Sequence, residues 1–239
     1  MSLFKAEIDG MRRTLTEYGF LGRKLPVAGK KWPRSEGRQM ILEQDMAAEL
    51  GHGRFPSISV ILWTWSAHTV EDGAIRLYGP DIPAIAGSDI NSVPFGKVVL
   101  LEVSGIPEGE VYPAFEQMDA VRFDMNLKGY MLRGTVQRNR EWGRVGKKAC
   151  RDGFCFSVLG SELLRGYKKL PFVRGAEILF FTDEGLIREL TPMAEKSVQI
   201  TRALNTMFEN IDMDCKHCDS ATICETIPEL KALHKGRMG

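Results

Sequence analysis

The 239-residue sequence has no long apolar run, no excess of charge of one sign and no secretion signal. Its longest strongly apolar stretch, residues 58–65, is much shorter than the roughly 18 residues that suggest a membrane-spanning helix, so we expect no membrane association. Residues 1–9 lack the basic start and apolar middle of a signal peptide. Because 32 Lys and Arg residues nearly balance 31 Asp and Glu residues, we expect no nucleic-acid partner.

Two common catalytic motifs are also missing. No glycine-rich segment ends in the Lys-Ser/Thr of a phosphate-binding loop. Ser157 and Ser161 lie outside any Gly-x-Ser-x-Gly pattern, which is the context that exposes a nucleophilic serine in hydrolases. The sequence therefore gives no support for hydrolase chemistry.

Three of the five cysteines, Cys215, Cys218 and Cys224, fall within ten residues. Deprotonated sulfurs repel one another, and a soft metal ion or an iron–sulfur cluster removes that repulsion. An odd number of clustered cysteines without a secretion signal predicts the reducing cytoplasm and metal or redox chemistry.

The identity of the metal stays open at this point. A Cys-x2-Cys pair serves structural zinc and iron–sulfur clusters alike, and Cys224 supplies a third sulfur. A zinc site would take His217, His234 or a distant residue as its fourth ligand. In a four-iron cluster, Cys150, Cys155 or a partner's cysteine would hold the fourth iron, unless that iron binds a small ligand. Reduced thiols without a metal are the remaining interpretation.

Strand and helix patterns alternate along the chain. β-Branched and aromatic residues predict strands at 57–65, 74–78, 97–103, 131–138, 141–145 and 176–182. Helical spacing predicts helices at 2–18, 110–127 and 161–168, and a long last helix with Thr191 as N-cap and Pro192 as its first residue. The charged segment 22–37 is interpreted as a solvated connector.

This alternation predicts an α/β or α+β fold, with a mixed β-sheet flanked by helices and a small cysteine-containing segment at the end. We expect an N-terminal helix and connector at 1–40 and an α/β domain at 41–190. Residues 191–239 would then form the long helix and the metal-binding segment.

An ordered series of segments across residues 40–230 carries a family resemblance. The segments are 48–51 (AELG), 71–81 (EDGAIRLYGPD), 94–103 (PFGKVVLLEV), 143–154 (GRVGKKACRDGF) and 177–184 (EILFFTDE), followed by the three clustered cysteines and Pro228-Glu229. Together they resemble the middle region of acetyl-CoA synthase, the nickel–iron–sulfur subunit of the carbon monoxide dehydrogenase/acetyl-CoA synthase complex of anaerobes. The resemblance implies that Cys215, Cys218 and Cys224 are ligands of a [4Fe–4S] cluster.

The sequence departs from that family at the metal site. The family has a fourth cluster cysteine and a later Cys-Gly-Cys that holds nickel, and neither is present here. The large N-terminal part that docks carbon monoxide dehydrogenase in bacterial versions is also missing. We therefore do not expect a nickel site, or full acetyl-CoA synthase activity, from this chain alone.

Nine basic residues concentrate within residues 122–151: Arg122, Lys128, Arg133, Arg138, Arg140, Arg144, Lys147, Lys148 and Arg151. The resemblance implies that this region receives coenzyme A, whose phosphates suit arginine forks. Arg138, Arg140, Arg144, Lys147 and Lys148 are the candidate phosphate ligands. Trp142 is a candidate to stack on the adenine. A solvated face paired with acidic residues is the alternative.

Two functional hypotheses follow. The first is an iron–sulfur accessory or electron-transfer protein of anaerobic one-carbon or corrinoid metabolism, whose partners would be a corrinoid protein, a methyltransferase or a carbon monoxide dehydrogenase-type subunit. The second is a coenzyme A- or partner-binding module, without catalysis, in which the cysteines hold structural zinc.

Overall fold

The structure is a computed structural model that describes residues 3–17, 19, 22–37, 39–132, 139–209 and 219–237. Its strands are β1 (Arg23–Leu25), β2 (Met46–Leu50), β3 (Ser57–Thr64), β4 (Ile75–Tyr78), β5 (Ser92–Val93), β6 (Phe95–Val103), β7 (Tyr130–Leu132), β8 (Gly143–Gly146) and β9 (Val173–Phe181). Its helices are α1 (Lys5–Glu17), α2 (Ile82–Ala86), α3 (Val111–Asp124), α4 (Lys147–Arg151), α5 (Phe156–Tyr167), α6 (Glu184–Glu209), α7 (Ala221–Thr226) and α8 (Pro228–Arg237).

The larger sheet has five strands in the order β1-β4-β9-β6-β3. The pairs β3–β6 and β4–β9 are parallel, whereas β6–β9 and β1–β4 are antiparallel. The two central strands, β6 and β9, are buried almost throughout, as expected for strands covered on both faces. This mixed sheet confirms the predicted fold class.

Helices cover both faces of this sheet. On one face, Phe115 of α3 packs against Trp63 of β3, and α5 approaches Ile75 of β4 at Gly160. On the other face, Arg12 of α1 donates a hydrogen bond to the buried carboxylate of Glu177 in β9, and α6 packs on β3. The core therefore lies in two layers, one on each side of β6 and β9.

A second sheet of four strands, in the order β5-β2-β8-β7, packs beside the first. The segment that leads into β8 joins the two sheets. The Ser57 hydroxyl at the start of β3 donates to the Glu141 carbonyl oxygen (2.8 Å), and the Glu141 N–H donates back to Ser57 Oγ (3.1 Å). These two hydrogen bonds hold the backbone of Glu141 against the start of β3 in the larger sheet.

Two helix starts differ from the sequence-based predictions. Helix α6 begins at Glu184, not after Thr191, because the Asp183 carboxylate accepts the Leu186 N–H (2.8 Å) and caps the helix earlier. The Thr191 hydroxyl instead donates to the Ile187 carbonyl oxygen inside the helix, which continues through Pro192. Helix α5 begins at Phe156, not at residue 161.

The connector prediction for residues 22–37 is wrong at its start. Arg23–Leu25 forms the edge strand β1, antiparallel to β4, with Leu25 opposite Ile75. Only Leu25 is buried, so the charged side chains of this strand face solvent. Of the strand predicted at 131–138, residues 131 and 132 belong to β7, and the remaining positions lie outside the described residues.

The last two helices, α7 and α8, pack against the rest of the protein. Helices α7 and α8 pack on α6 and on each other. Ile227, Leu230 and Leu233 are buried in the main hydrophobic core. Among the residues that the structure describes, no helix combines the length and apolar character needed to cross a membrane.

Candidate functional site

Cys224 is the described member of the cysteine cluster. It lies on α7, is partly buried and packs against the main core, and its N–H donates to the Ser220 carbonyl oxygen (3.1 Å). Because α7 is packed on α6, the position of this sulfur is fixed relative to the sheet. Cys215, His217, Cys218 and the side chain of His234 lie outside the described residues. The cluster geometry therefore remains a prediction.

Cys150, in α4, and Cys155, directly before α5, are free thiols. Burial, the Asp81 carboxylate and the nearby Cys155 thiol raise the pKa of Cys150. A raised pKa disfavours the thiolate, which is the form that binds metal. Helix α4 packs mainly on β2, β8 and α2, whereas α7 packs on α6 and α8.

Within the described part of the chain, no three His, Cys, Asp or Glu residues come together as a metal-binding group. Cys224, Cys150 and Cys155 therefore do not form such a group by themselves. The donor set of Cys215, Cys218 and Cys224 fits a soft metal or an iron–sulfur cluster by its chemistry, since three thiolates at this spacing are typical ligands of both. The fourth ligand stays open.

Two residues of the predicted coenzyme A surface converge on one carboxylate. Arg144 Nε donates to Glu49 Oε1 (2.6 Å), and Trp142 Nε1 donates to the same oxygen (3.1 Å). Ser92 Oγ donates to Glu49 Oε2 (3.0 Å). Burial alone would raise the pKa of Glu49, but these hydrogen bonds hold the pKa below its usual value. The carboxylate thus neutralises a guanidinium that was predicted to hold phosphate.

The other predicted phosphate ligands are spread over different surroundings. Arg140 donates to the Phe55 carbonyl oxygen (3.0 Å), and Lys147 Nζ donates to the Gln44 carbonyl oxygen (2.7 Å). Lys148 is exposed and lines a cavity that Arg140, Trp142 and Arg144 do not line. Arg138 lies outside the described residues. The structure brings Trp142 and Arg144 together, and it places Lys148 elsewhere.

A buried charge cluster, absent from the sequence-based predictions, lies between the two sheets. Lys97 of β6 and Glu141 form an ion pair, and each is only 2% exposed. Ser59 Oγ donates to Glu141 Oε2 (3.1 Å), and Tyr130 Oη donates to Glu141 Oε1 (3.3 Å). Arg122 of α3 lies 4.0 Å from the same carboxylate. Arg122 is therefore a core residue and not part of the basic surface.

Burial alone would raise the pKa of Glu141, but the charges of Lys97 and Arg122 outweigh it and lower the pKa. Burial lowers the pKa of Lys97. A cavity of about 20 Å³ beside Lys97 and Arg122 has room for about one water molecule. Arg122 Nε has no hydrogen-bond partner among the described residues, and such a water would satisfy it. This buried cluster supports the fold, and the cavity beside it is too small to admit a substrate.

Comparison with known proteins identifies the family. A family model described as the CO dehydrogenase/acetyl-CoA synthase complex beta subunit matches residues 30–187, which is more than half of the chain. The chain belongs to this family. The resemblance found in the sequence is therefore confirmed.

Two curated members of the CO dehydrogenase/acetyl-CoA synthase group show what share of a relative's length this chain covers. The carbon monoxide dehydrogenase/acetyl-CoA synthase subunit alpha of Moorella thermoacetica is 30% identical over 207 residues, which cover 82% of this chain and 27% of the relative. The acetyl-CoA decarbonylase/synthase complex subunit beta of Archaeoglobus fulgidus is 25% identical over 197 residues, 81% of this chain and 36% of the relative. The chain thus spans only about a third or less of the curated relatives that it matches.

Proposed function

We propose that this protein binds a [4Fe–4S]-type cluster through Cys215, Cys218 and Cys224. It would act as an accessory or electron-transfer protein in anaerobic one-carbon or corrinoid metabolism, in the cytoplasm. The observation that carries the proposal is the three-cysteine donor set in a chain of the CO dehydrogenase/acetyl-CoA synthase family. A carbon monoxide dehydrogenase-type subunit, a corrinoid protein or a methyltransferase would be its partner.

Each residue has a defined part in this proposal. The three cysteine thiolates hold the centre, and His217, His234, Cys150 or Cys155 is the candidate fourth ligand. A cluster of this type supplies one-electron transfer when it is bound. The partly buried position of Cys224 restricts solvent around the sulfur, and solvent exposure is one of the properties that tune such centres. The packing of α7 on α6 holds this ligand in place.

Replacing Cys224 with serine tests the role of this sulfur. We expect the Cys224→Ser variant to bind iron at least about tenfold more weakly than the wild type, since even residues that only orient ligands change metal affinity tenfold or more. The measurement is iron and sulfide content together with iron–thiolate absorbance after anaerobic purification. Thr222→Ser, at an exposed position on the same helix, is the matched control and should keep the full content. Equal iron in Cys224→Ser and wild type would refute the assignment.

The alternative proposal is a coenzyme A- or partner-binding module in which the same cysteines hold structural zinc. The packing of α7 and α8 on α6 favours a structural role for the centre, because a metal ion there would attach the end of the chain to the core. In that case the purified protein contains zinc and no sulfide. Cys224→Ser would then lower the melting temperature and lose zinc together.

A further inference from the structure

We infer that a cavity between α1 and the larger sheet binds a hydroxy acid, meaning a small carboxylate with a hydroxyl group beside it and an apolar side chain. The cavity has a volume of about 410 Å³ and is bordered by α1, β4 and β9. This volume lies within the range of about 300–1,000 Å³ that is typical of small-molecule sites. The cavity shares no residue with the proposed metal centre or with the predicted coenzyme A surface, so the inference is independent of both.

The floor of the cavity is one face of the sheet. Side chains alternate between the two faces of a strand, so Arg76 and Tyr78 of β4 share a face, as do Glu177 and Leu179 of β9. Arg76 lies opposite Leu179 in the parallel register of these strands. All four side chains therefore project from the same face, and α1 covers them.

The charge around the cavity favours an anion. Arg12 of α1 donates to Glu177 Oε2 (3.0 Å), and Arg76 Nε lies 3.6 Å from Glu177 Oε1. Glu71 in turn pairs with both Arg76 and Lys24. Three cations thus share two carboxylates in this network, which leaves one positive charge in excess. A ligand carboxylate would neutralise that charge and accept charge-assisted hydrogen bonds from the guanidiniums.

Glu177 supplies a buried acceptor that lacks a donor. Its side chain is fully buried, and Oε2 accepts from Arg12 and from the Glu71 N–H (3.1 Å). Oε1 has no hydrogen-bond partner among the described residues. An unpaired buried acceptor is unfavourable, and a ligand hydroxyl would supply the missing donor. A hydroxyl is favoured over an ammonium, because an ammonium would add a further cation beside Arg12 and Arg76.

The remaining wall favours an apolar group on the ligand. Leu15 of α1 and Leu179 line the cavity together with Tyr78. The Tyr78 ring is stacked on Phe181, with centroids 4.9 Å apart. The backbone at Gly22 closes over the same ring, since a Cβ there would lie 2.3 Å from Tyr78 Cζ. The apolar group would therefore meet a preformed surface, which lowers the entropic cost of binding.

Calorimetric titration of the full chain with α-hydroxyisocaproate tests the inference. We expect one ligand per chain, and binding at least about tenfold weaker in Arg12→Gln, because this variant loses charge-assisted contacts. Arg13→Gln, at an exposed position on the same helix that does not line the cavity, is the matched control and should bind as the wild type does. Thr16→Phe, at an exposed position that lines the cavity, should abolish binding by filling it and keep a melting temperature close to that of the wild type.

Analogues separate the parts of the ligand. Isocaproate lacks the hydroxyl and should bind at least about tenfold more weakly, because Glu177 Oε1 then stays unpaired. Lactate, without the apolar side chain, and leucine, with an ammonium in place of the hydroxyl, should also bind more weakly. The inference is overturned if α-hydroxyisocaproate shows no binding at millimolar concentration, or if Arg12→Gln and Thr16→Phe both bind it as the wild type does. Equal binding of isocaproate, or tighter binding of leucine, would likewise overturn the assignment to a hydroxy acid.

Discussion

Replacing Glu141 with alanine is expected to lower the free energy of unfolding by about 3–5 kcal/mol. The carboxylate is buried and neutralises Lys97, with Arg122 4.0 Å away. Removing it leaves two buried cations without a counter-charge, and it also removes the acceptor for Tyr130 and Ser59. Urea denaturation monitored by tryptophan fluorescence measures the loss.

Glu116 provides the matched control for this prediction. It lies exposed on α3, and we expect Glu116→Ala to change the free energy of unfolding by less than about 0.5 kcal/mol. A loss of under about 1 kcal/mol for Glu141→Ala would mean that the buried charge cluster does not hold the two sheets together.

The Gly51→Ala variant is expected to lose about 2–5 kcal/mol of stability, from backbone strain and overpacking combined. Gly51 follows β2 with a φ of +69°, in the left-handed region that favours glycine. A Cβ there would lie 2.2 Å from the Glu141 carbonyl oxygen, which is backbone and accepts the Ser57 hydroxyl. The methyl group would therefore push apart the junction between the two sheets.

Gly53, two residues further on, is the control for Gly51. A Cβ at Gly53 meets nothing within 4 Å among the described residues. Thermal unfolding of the two alanine variants should show a large drop in melting temperature for Gly51→Ala and little change for Gly53→Ala. Similar melting temperatures would contradict the close contact at Gly51.

The sequence predicts the centre of the fold well because the signal there is local. Residues 97–103 and 176–182 are nearly continuous apolar runs, and they form the central strands β6 and β9. The three clustered cysteines and the family segments are likewise readable directly from the order of residues.

Features that depend on distant residues are not predicted from the sequence. Helix α5 begins at Phe156, whose N–H donates to the carboxylate of Asp81, 75 residues earlier (3.0 Å). Lys97 is one charge in an apolar run, and its partner Glu141 lies 44 residues away. No local pattern links either pair, so only the folded chain shows them.

The basic residues within 122–151 show that the candidate site, too, depends on contacts between distant residues. Local sequence groups Arg122, Arg140, Arg144 and Lys148 as one positive region, yet their surroundings differ. Arg122 is buried, Arg144 is paired with Glu49, and Lys148 joins lysines from residues 30, 31 and 128 at a cavity. The fold therefore places basic residues that are neighbours in sequence in different surroundings. It also brings Lys148 close to lysines that are far from it in sequence.

Metal analysis of the wild-type chain, purified without oxygen, tests the central proposal most directly. The proposal predicts about four iron and four sulfide per chain, in line with a [4Fe–4S] centre, and no stoichiometric zinc. One zinc per chain without iron or sulfide would contradict the iron–sulfur assignment.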